Sequence, residues 1–300
     1  MQMATAAPAS LGSLLAAGAA ALRASGSPTP RLDAELLIAH ATGHERSWVL
    51  AHPEWTLEAD AVDALRNALE RRVTGEPIAY IRGFKEWLSM RILTDARALV
   101  PRPETEVLAE AAMAEIETRL GRDGAPVVAW EVATGSGAVA VALALRFREA
   151  LERGRLTLIA SDASPEALGL AAENLASHGV EELTRLLHAD LLAPAGGSEP
   201  RPDVVVANLP YLSTAEVDAA AGSLAHEPRV ALEGGPEGLE LLRRLFAELP
   251  DHVAPRATVL LEVALGQADA VVGLAPAGAV TEALPDIGGV PRVVVVRLPA

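Results

Sequence analysis

The sequence predicts an α/β fold in which a small helical domain precedes a mostly parallel, helix-covered sheet of seven strands with an antiparallel end. Three observations lead to this expectation. Apolar residues recur at helical spacing near the start of the chain, short apolar strands alternate with helical stretches later on, and only a Pro- and Gly-rich turn separates the last two strands. Alternating strands and helices form parallel sheets, whereas strands joined by a short turn pair antiparallel.

The helical pattern runs from Leu11 to about Arg72 and is broken at 26–30 and 52–55. Strand-like pieces around Trp87–Leu93 and Ala98–Val100 then predict a hairpin. We therefore expect three regions, which are a helical domain over residues 1–85, a hairpin linker over 86–100 and a sheet domain over 101–300.

The sheet domain begins with a predicted helix over about 104–120, and strand candidates follow it. The predicted strands are Val127–Val132, Leu156–Ser161, Arg185–His188, Val204–Ala207, Thr258–Val263, Val280–Leu284 and Val293–Arg297.

Composition excludes several classes of function. The 300 residues contain no cysteine, which rules out disulfides and thiolate chemistry and fits a reducing cytoplasm. We expect no metal site, because the closest histidines, His40 and His44, have no third ligand near them. The net charge of −15 argues against stable nucleic-acid binding. The apolar stretch Leu11–Leu22 is too short to span a membrane, so we expect a soluble cytoplasmic protein without a membrane partner.

A glycine-rich turn, Glu131–Gly137, follows the first strand of the sheet domain and precedes a helix that starts near Ala138. Glycines let the backbone approach a ligand closely, and a helix N-terminus offers unpaired N–H groups. The candidate cofactor-binding residues of this turn are Glu131, Thr134, Gly135, Ser136 and Gly137. Such a turn can equally bind a dinucleotide or serve only as a tight connection.

Acidic residues end the next two strands. Asp162 is placed to accept hydrogen bonds from two ribose hydroxyls, and Asp190 to meet an adenine amino group, because open α/β sheets bind ligands at the carboxyl ends of their strands. Asp162 could instead cap the helix beginning at Pro165, a role that Ser164 can also fill. Together with the glycine-rich turn, these residues predict a nucleoside site.

The fourth strand is followed directly by Asn208-Leu-Pro-Tyr211. Asn208 is also a candidate cofactor-binding residue. Its side-chain oxygen and the backbone carbonyl of Leu209 can accept both N–H groups of a target NH₂, while Tyr211 packs on its flat face. An amide nitrogen is a poor nucleophile, so catalysis depends on such positioning. We expect Asn208, Pro210 and Tyr211 to be catalytic and all four residues to bind substrate. The alternative is a structural turn that leaves a strand.

Over almost its whole length the sequence resembles the HemK-type protein-glutamine N5-methyltransferases. The signature segments, which carry the resemblance, are Pro30–Leu37, Gly75–Tyr80, Val100–Glu106, Glu227–Leu232, Gly234–Gly238 and Asn208–Tyr211. The resemblance implies a Rossmann-like class I methyltransferase domain that uses S-adenosylmethionine and a helical domain that recognises peptide chain release factors. It also implies that Asn208–Tyr211, matching the family's Asn-Pro-Pro-Tyr, grips the glutamine of the factor's Gly-Gly-Gln motif, whose side-chain amide nitrogen is methylated.

Three residues depart from the family pattern, and all lie in the predicted site. Leu209 replaces a proline and keeps its backbone carbonyl but not the rigidity of the ring. Ala133 replaces the first glycine of the turn, which is tolerable if φ is negative there, and Glu131 replaces an aspartate.

Three other functions stay open, which are methylation of a ribosomal protein glutamine, methylation of adenine N6 in nucleic acid, and cofactor binding without catalysis.

Overall fold

The computed structural model describes residues 10–121, 124–194 and 199–300, and the chain divides into two compact units. The first unit contains the chain up to Gly83 together with a later segment, 220–226. The second contains Phe84–Ala219 and Glu227–Ala300. The two units are therefore not separated by a single boundary in the sequence.

The first unit is helical, as predicted. Its described residues form the helices α1 (Leu11–Ala24), α2 (Pro30–Thr42), α3 (Arg46–Ala51), α4 (Ala59–Val73) and α5 (Ile78–Arg82). Its apolar core includes Leu11, Leu37 and Leu65.

A buried ion pair organises this helical unit. The Asp33 carboxylate accepts a hydrogen bond from Arg72 Nε at 2.7 Å and from the hydroxyls of Ser27 and Thr29. Arg72 Nη1 also donates to Ser223 Oγ at 2.9 Å, which joins segment 220–226 to the unit. The signature segment Pro30–Leu37 thus contributes a charge that is fully partnered, as burial of a charge requires.

The second unit opens with the hairpin of β1 (Phe84–Trp87) and β2 (Met90–Leu93). The hairpin was predicted, but the placement of its strands was wrong. The turn lies inside the piece 87–93, and Ala98–Val100 forms no strand. Leu88 and Ser89 occupy the turn with φ of 44° and 59°, left-handed values that usually select Gly or Asn, so the sequence carries no turn signal there.

The main sheet confirms the predicted α/β fold. Its described strands are β3 (Val127–Val132), β4 (Leu156–Asp162), β5 (Thr184–Asp190), β6 (Ala193–Pro194), β7 (Val204–Ala207), β8 (Thr258–Glu262), β9 (Val280–Pro285) and β10 (Pro291–Arg297). The order is β6-β5-β4-β3-β7-β8-β10-β9. The five neighbouring strands β5, β4, β3, β7 and β8 are parallel, and β10 pairs antiparallel with both β8 and β9. The short β6, antiparallel to the end of β5, was not predicted.

Helices cover both faces of the sheet. In the described part of the second unit they are α6 (Glu104–Leu120), α7 (Ala138–Arg146), α8 (Arg148–Glu152), α9 (Pro165–Ser177), α10 (Thr214–Asp218), α11 (Glu240–His252) and α12 (Ala268–Leu274).

Side chains of successive strand residues point to opposite faces. In β7, Val204 and Val206 pack in a core with α6 and α7, whereas Val205 and Ala207 pack in a second core with α11 and α12. This burial on both sides explains the continuous apolar runs of the parallel strands. Among the described residues, no helix has both the length and the apolar character needed to cross a bilayer.

Candidate active site

The carboxyl ends of the four strands β5, β4, β3 and β7 open onto a cavity of about 1180 Å³ in the second unit. Most of the predicted site residues line it, and they are Glu131, Thr134, Gly135, Ser136, Asp162, Asp190, Asn208, Leu209 and Pro210. Gly137 and Tyr211, which were also predicted, are not among the described lining residues. The volume slightly exceeds the usual range for a small-molecule pocket, which leaves space for a substrate side chain beside a nucleoside cofactor.

The glycine-rich turn between β3 and α7 depends on two left-handed glycines. Gly135 and Gly137 have φ of 55° and 78°, and the Gly137 N–H donates to the Thr134 carbonyl at 2.8 Å. A Cβ on Gly137 would lie 3.0 Å from Ala171 of α9, whereas one on Gly135 would find its nearest neighbour only at 3.9 Å. Gly137 therefore serves close packing, and Gly135 keeps the loop open toward the cavity.

Ala133 also adopts a left-handed conformation, with φ of 57°. Alanine would be tolerated here without cost only if φ were negative. Ala133 does not meet that condition. The Cβ of an L-residue in this region approaches the following carbonyl oxygen, at a cost of about 1–2 kcal/mol. The departure from the family glycine thus stores strain at the start of the turn.

Replacing Ala133 by glycine should relieve this strain. The extra freedom of glycine in the unfolded chain offsets part of the gain, so we expect the free energy of unfolding to rise by about 0.5–1 kcal/mol. Chemical denaturation measures the change. Ala176→Gly, at an exposed position inside α9, is the matched control and should lower stability by about 1 kcal/mol. If both variants lose stability equally, Ala133 is not strained.

Asp162 lies at the end of β4 with both carboxylate oxygens in use. Oδ2 accepts the N–H of Gly135 and Oδ1 that of Ser164, each at 2.9 Å. Burial raises the pKa of Asp162, and these backbone hydrogen bonds oppose the rise. The predicted alternative role, capping of α9, is filled by Ser164, whose hydroxyl accepts the Ala167 N–H at 3.2 Å. A carboxylate has about four lone-pair sites, so Asp162 keeps capacity to accept from a ligand.

Glu131 is a buried carboxyl under the glycine-rich turn. Its Oε2 accepts a hydrogen bond from the Thr134 hydroxyl at 2.7 Å. Burial raises the pKa of Glu131 to about 8, although hydrogen bonds from Thr134 and the Ala140 N–H act in the opposite direction. Burial therefore favours the protonated form of this carboxyl, which connects the last part of β3 to the turn.

Asp190 lies at the exposed rim of the cavity, where its carboxylate pairs with Arg244 of α11 at 2.8 Å. Both side chains are about half exposed or more, so the pair adds little to stability. Arg244 lines the same cavity and was not predicted. A basic residue on a helix gives no local signal that it will face a strand end far away in the sequence.

The segment Asn208–Tyr211 leaves β7, and its first three residues form one wall of the cavity. Asn208 Nδ2 donates to Thr105 Oγ1 of α6 at 3.3 Å. Leu209 is only 3% exposed and belongs to the apolar core that contains Leu242 and Leu245 of α11. The Tyr211 carbonyl accepts a hydrogen bond from Gln267 Nε2 at 3.1 Å, and burial raises the pKa of the Tyr211 hydroxyl.

Two glycines of the signature segment Gly234–Gly238 support this wall. A Cβ on Gly234 would lie 2.4 Å from the Pro210 carbonyl oxygen, and one on Gly238 would lie 2.2 Å from that of Tyr211. The Gly234 N–H also donates to the Leu212 carbonyl at 2.8 Å. Only glycine permits the two segments to approach this closely.

Another signature residue, Glu227, connects two of the signature segments. Its side chain is fully buried, and its Oε2 accepts the Val100 N–H at 3.1 Å while Oε1 accepts a hydrogen bond from Arg102. The segments 100–106 and 227–232 therefore meet beside the cavity, which Arg102 and Arg229 also line.

Two polar residues next to Asn208 were not predicted as site residues, and one of them, Thr105, also lines the cavity. Thr105 belongs to the segment 100–106, whose role the sequence did not reveal. Glu262 ends the otherwise apolar strand β8, which pairs with β7. A charged residue at the carboxyl end of a buried parallel strand is the signal that could have identified Glu262.

Known proteins resemble this chain along nearly its whole length. A family model described as the PrmC N-terminal domain matches residues 13–83. The release factor glutamine methyltransferase of Deinococcus radiodurans is 36% identical over 285 residues, which cover 95% of this chain and 97% of that protein. The enzyme of the same description from Koribacter versatilis is 35% identical and covers 93% of this chain and 95% of the relative.

Among solved structures, a protein-(glutamine-N5) methyltransferase (release factor-specific) from Alicyclobacillus acidocaldarius is 27% identical, covers 67% of this chain and 95% of its own, and superposes with a TM-score of 0.39. With curated relatives above 30% identity that align over almost its full length, the chain belongs to the release factor glutamine methyltransferase family.

Proposed function

We propose that this protein transfers a methyl group from S-adenosylmethionine to the side-chain amide nitrogen of the glutamine in the Gly-Gly-Gln motif of a peptide chain release factor. The observation that carries the proposal is the state of the Asn208 amide. Its Nδ2 is held by Thr105, whereas its Oδ1, at the wall of the cavity, accepts no hydrogen bond from the described residues. A free acceptor at this point fits a substrate NH₂ group.

The residues of the cavity fit S-adenosylmethionine, which supplies an electrophilic methyl group when bound. Asp162 keeps lone pairs for the two ribose hydroxyls, and the turn 134–136 offers a wall without side-chain obstruction at Gly135. Asp190 reaches the same cavity from the next strand, where an adenine amino group would meet it. The nucleoside would therefore lie across the ends of β4 and β5, as in other open α/β sheets.

The substrate amide would lie against Asn208–Tyr211. Asn208 Oδ1 and the Leu209 carbonyl each accept one N–H of the amide, so that the nitrogen is oriented for attack and its partial loss of conjugation is favoured. Pro210 lines the cavity beside them, and Tyr211 would contact the flat face of the amide.

The family relationship favours a release factor over the other substrates considered. Methylation of adenine in nucleic acid would require a basic surface to neutralise phosphates, and the chain carries a net charge of −15. We further propose that the helical unit recognises the factor, since one glutamine side chain is too small to distinguish proteins. The alternative substrate is a glutamine of a ribosomal protein. Measuring transfer of a labelled methyl group to a release factor and to a ribosomal protein under the same conditions decides between the two.

Asp162→Ala should weaken binding of S-adenosylmethionine by about ten- to a hundredfold, because charge-assisted hydrogen bonds contribute about 1.5–3 kcal/mol. Calorimetry with the purified chain measures this. Asp286→Ala is the matched control, because Asp286 also accepts two backbone N–H bonds but lies in the turn between β9 and β10, away from the cavity. Unchanged affinity in the Asp162 variant would remove this residue from the cofactor site.

Asn208→Ala should reduce single-turnover methylation of an intact release factor by about a hundred- to a thousandfold, the usual cost of losing one positioned transition-state partner. Affinity for S-adenosylmethionine should change little. Asn208→Asp keeps an acceptor and should retain partial activity, and Asn67→Ala, at an exposed position of α4, serves as the control. Methylation at the parent rate by the Ala variant would mean that the target amide is held elsewhere.

Gly234→Ala should lower turnover by about ten- to a hundredfold, because its methyl group would displace the Pro210 carbonyl and with it the substrate wall. Cofactor affinity should stay within about twofold of the parent value, since the contact lies on the substrate side. Gly273→Ala is the matched control, because a Cβ at this position inside α12 meets no atom within 4 Å. Equal rates for the two variants would show that the wall tolerates displacement.

A further inference from the structure

Glu262 is a buried carboxyl at the base of the Asn208 wall. It ends β8, is 3% exposed, and its Oε2 has no hydrogen-bond partner among the described residues. It does not line the cavity, so it does not reach substrate or cofactor directly. Burying an under-satisfied carboxyl costs free energy, which calls for a functional reason.

Thr105 and Asn208 lie next to this carboxyl. Glu262 follows Leu261, which pairs with Ala207, so it lies beside Asn208 at the ends of the parallel strands β7 and β8. Thr105 and Asn208 lower the pKa of Glu262, but burial has the larger effect and raises it to about 7. Thr105 is itself buried, and its Oγ1 is the partner of Asn208 Nδ2. The three side chains therefore form one buried polar group that links α6, β8 and the end of β7.

The chemistry of the three groups determines which of them donates and which accepts in each hydrogen bond. A threonine hydroxyl can donate or accept, so Thr105 alone would hold the Asn208 amide in either of its two flipped orientations. An ionised carboxylate only accepts. With Glu262 ionised, the Thr105 hydroxyl donates to it, and Thr105 Oγ1 is then left to accept from Asn208 Nδ2.

We infer that Glu262 is a positioning residue, which acts on Asn208 directly and through Thr105 to hold its amide with Oδ1 toward the cavity. This inference rests on the proposed function, because Oδ1 is the atom assigned to accept the N–H of the substrate amide. A flipped Asn208 would present its own NH₂ to the substrate NH₂, and two donors repel each other.

The protonation state of Glu262 therefore decides the orientation. A protonated Glu262 can donate to Thr105 Oγ1, and the Thr105 hydroxyl can then donate to Asn208 Oδ1, which reverses the hydrogen bonds. The charged and titratable groups that face Glu262 are Glu104 of α6, Arg292 of β10 and Tyr211. Glu104 raises its pKa and Arg292 lowers it, and these two side chains lie 3.6 Å apart.

The first test is the pH dependence of single-turnover methylation of a release factor by the full chain. The parent rate should fall as pH decreases through about 7, by up to about tenfold per pH unit for a single ionisation. Glu262→Gln should be about ten- to a hundredfold slower at pH 8 and independent of pH, with KM and cofactor affinity unchanged. Thr105→Val should show the same loss, and Thr105→Ser, which restores the hydroxyl, should recover most of it.

Thr118→Val is the matched control, because Thr118 lies on the same helix and its hydroxyl donates to the Ala114 carbonyl at 2.8 Å. It should follow the parent profile. If Glu262→Gln and Thr105→Val keep the parent rate and pH profile while Asn208→Ala is inactive, the positioning role is wrong and the proposed function stands.

A second measurement does not depend on the substrate. In ¹⁵N-labelled protein, the side-chain NH₂ resonances of Asn208, assigned by their loss in Asn208→Ala, should titrate near pH 7 and should not titrate in Glu262→Gln. Resonances that are insensitive to pH in the parent would overturn the inference. If they titrate but the parent methylates no release factor, the proposed function fails while the positioning of Asn208 by Glu262 is supported.

Discussion

The parallel alignment of β3, β4, β5 and β7 is the constraint on which the site depends. Parallel strands bring their carboxyl ends to one edge of the sheet, so a residue that follows each strand reaches the same cavity without any specific pairing between them. Asp162, Asp190 and Asn208 are each the last residue of a strand or the residue just after it. The buried apolar strands thus hold the polar site residues in fixed relative positions.

The wall that contains Asn208 also depends on contacts with parts of the chain that are distant in sequence. Gly234 and Gly238 allow the backbone of Pro210 and Tyr211 to lie against them. Thr105 holds Asn208 from α6. These contacts explain why several segments that are far apart in sequence, 100–106, 227–232 and 234–238, all carry the resemblance to the family, since each lies at the wall or beside the cavity.

Much of the fold could be predicted because it follows from local pattern. Apart from the short β6, the strands of the sheet were expected to within two residues at each end, because each is a short apolar run. The hairpin strands were misplaced because Leu88 and Ser89 turn without glycine or asparagine. Segment 220–226 joined the helical unit unexpectedly, since its contact with Arg72 is long-range and leaves no periodic signal.

In the candidate site, too, only the features that follow from local sequence pattern could be predicted. Residues that follow a strand, such as Asp162 and Asn208, could be placed from the sequence alone. Gly137 and Tyr211 belong to the same motifs but are not among the described lining residues. Gly137 packs against Ala171 of α9, a contact that the motif itself does not reveal. Glu262 could not be connected to Asn208, since only the pairing of β7 with β8 brings them together.

The departures from the family pattern change how the loops are held and not which groups face the cavity. Burial of the Leu209 side chain contributes about 1.5–3 kcal/mol, so an apolar anchor takes the place of a rigid ring, and the backbone carbonyl is retained. Ala133 costs about 1–2 kcal/mol in backbone strain, an amount that this burial can offset. Neither of these two substitutions removes a hydrogen-bonding atom from the groups assigned to bind ligand, since the Leu209 carbonyl is part of the backbone. Orientation of the Asn208 amide then depends on Thr105 and Glu262.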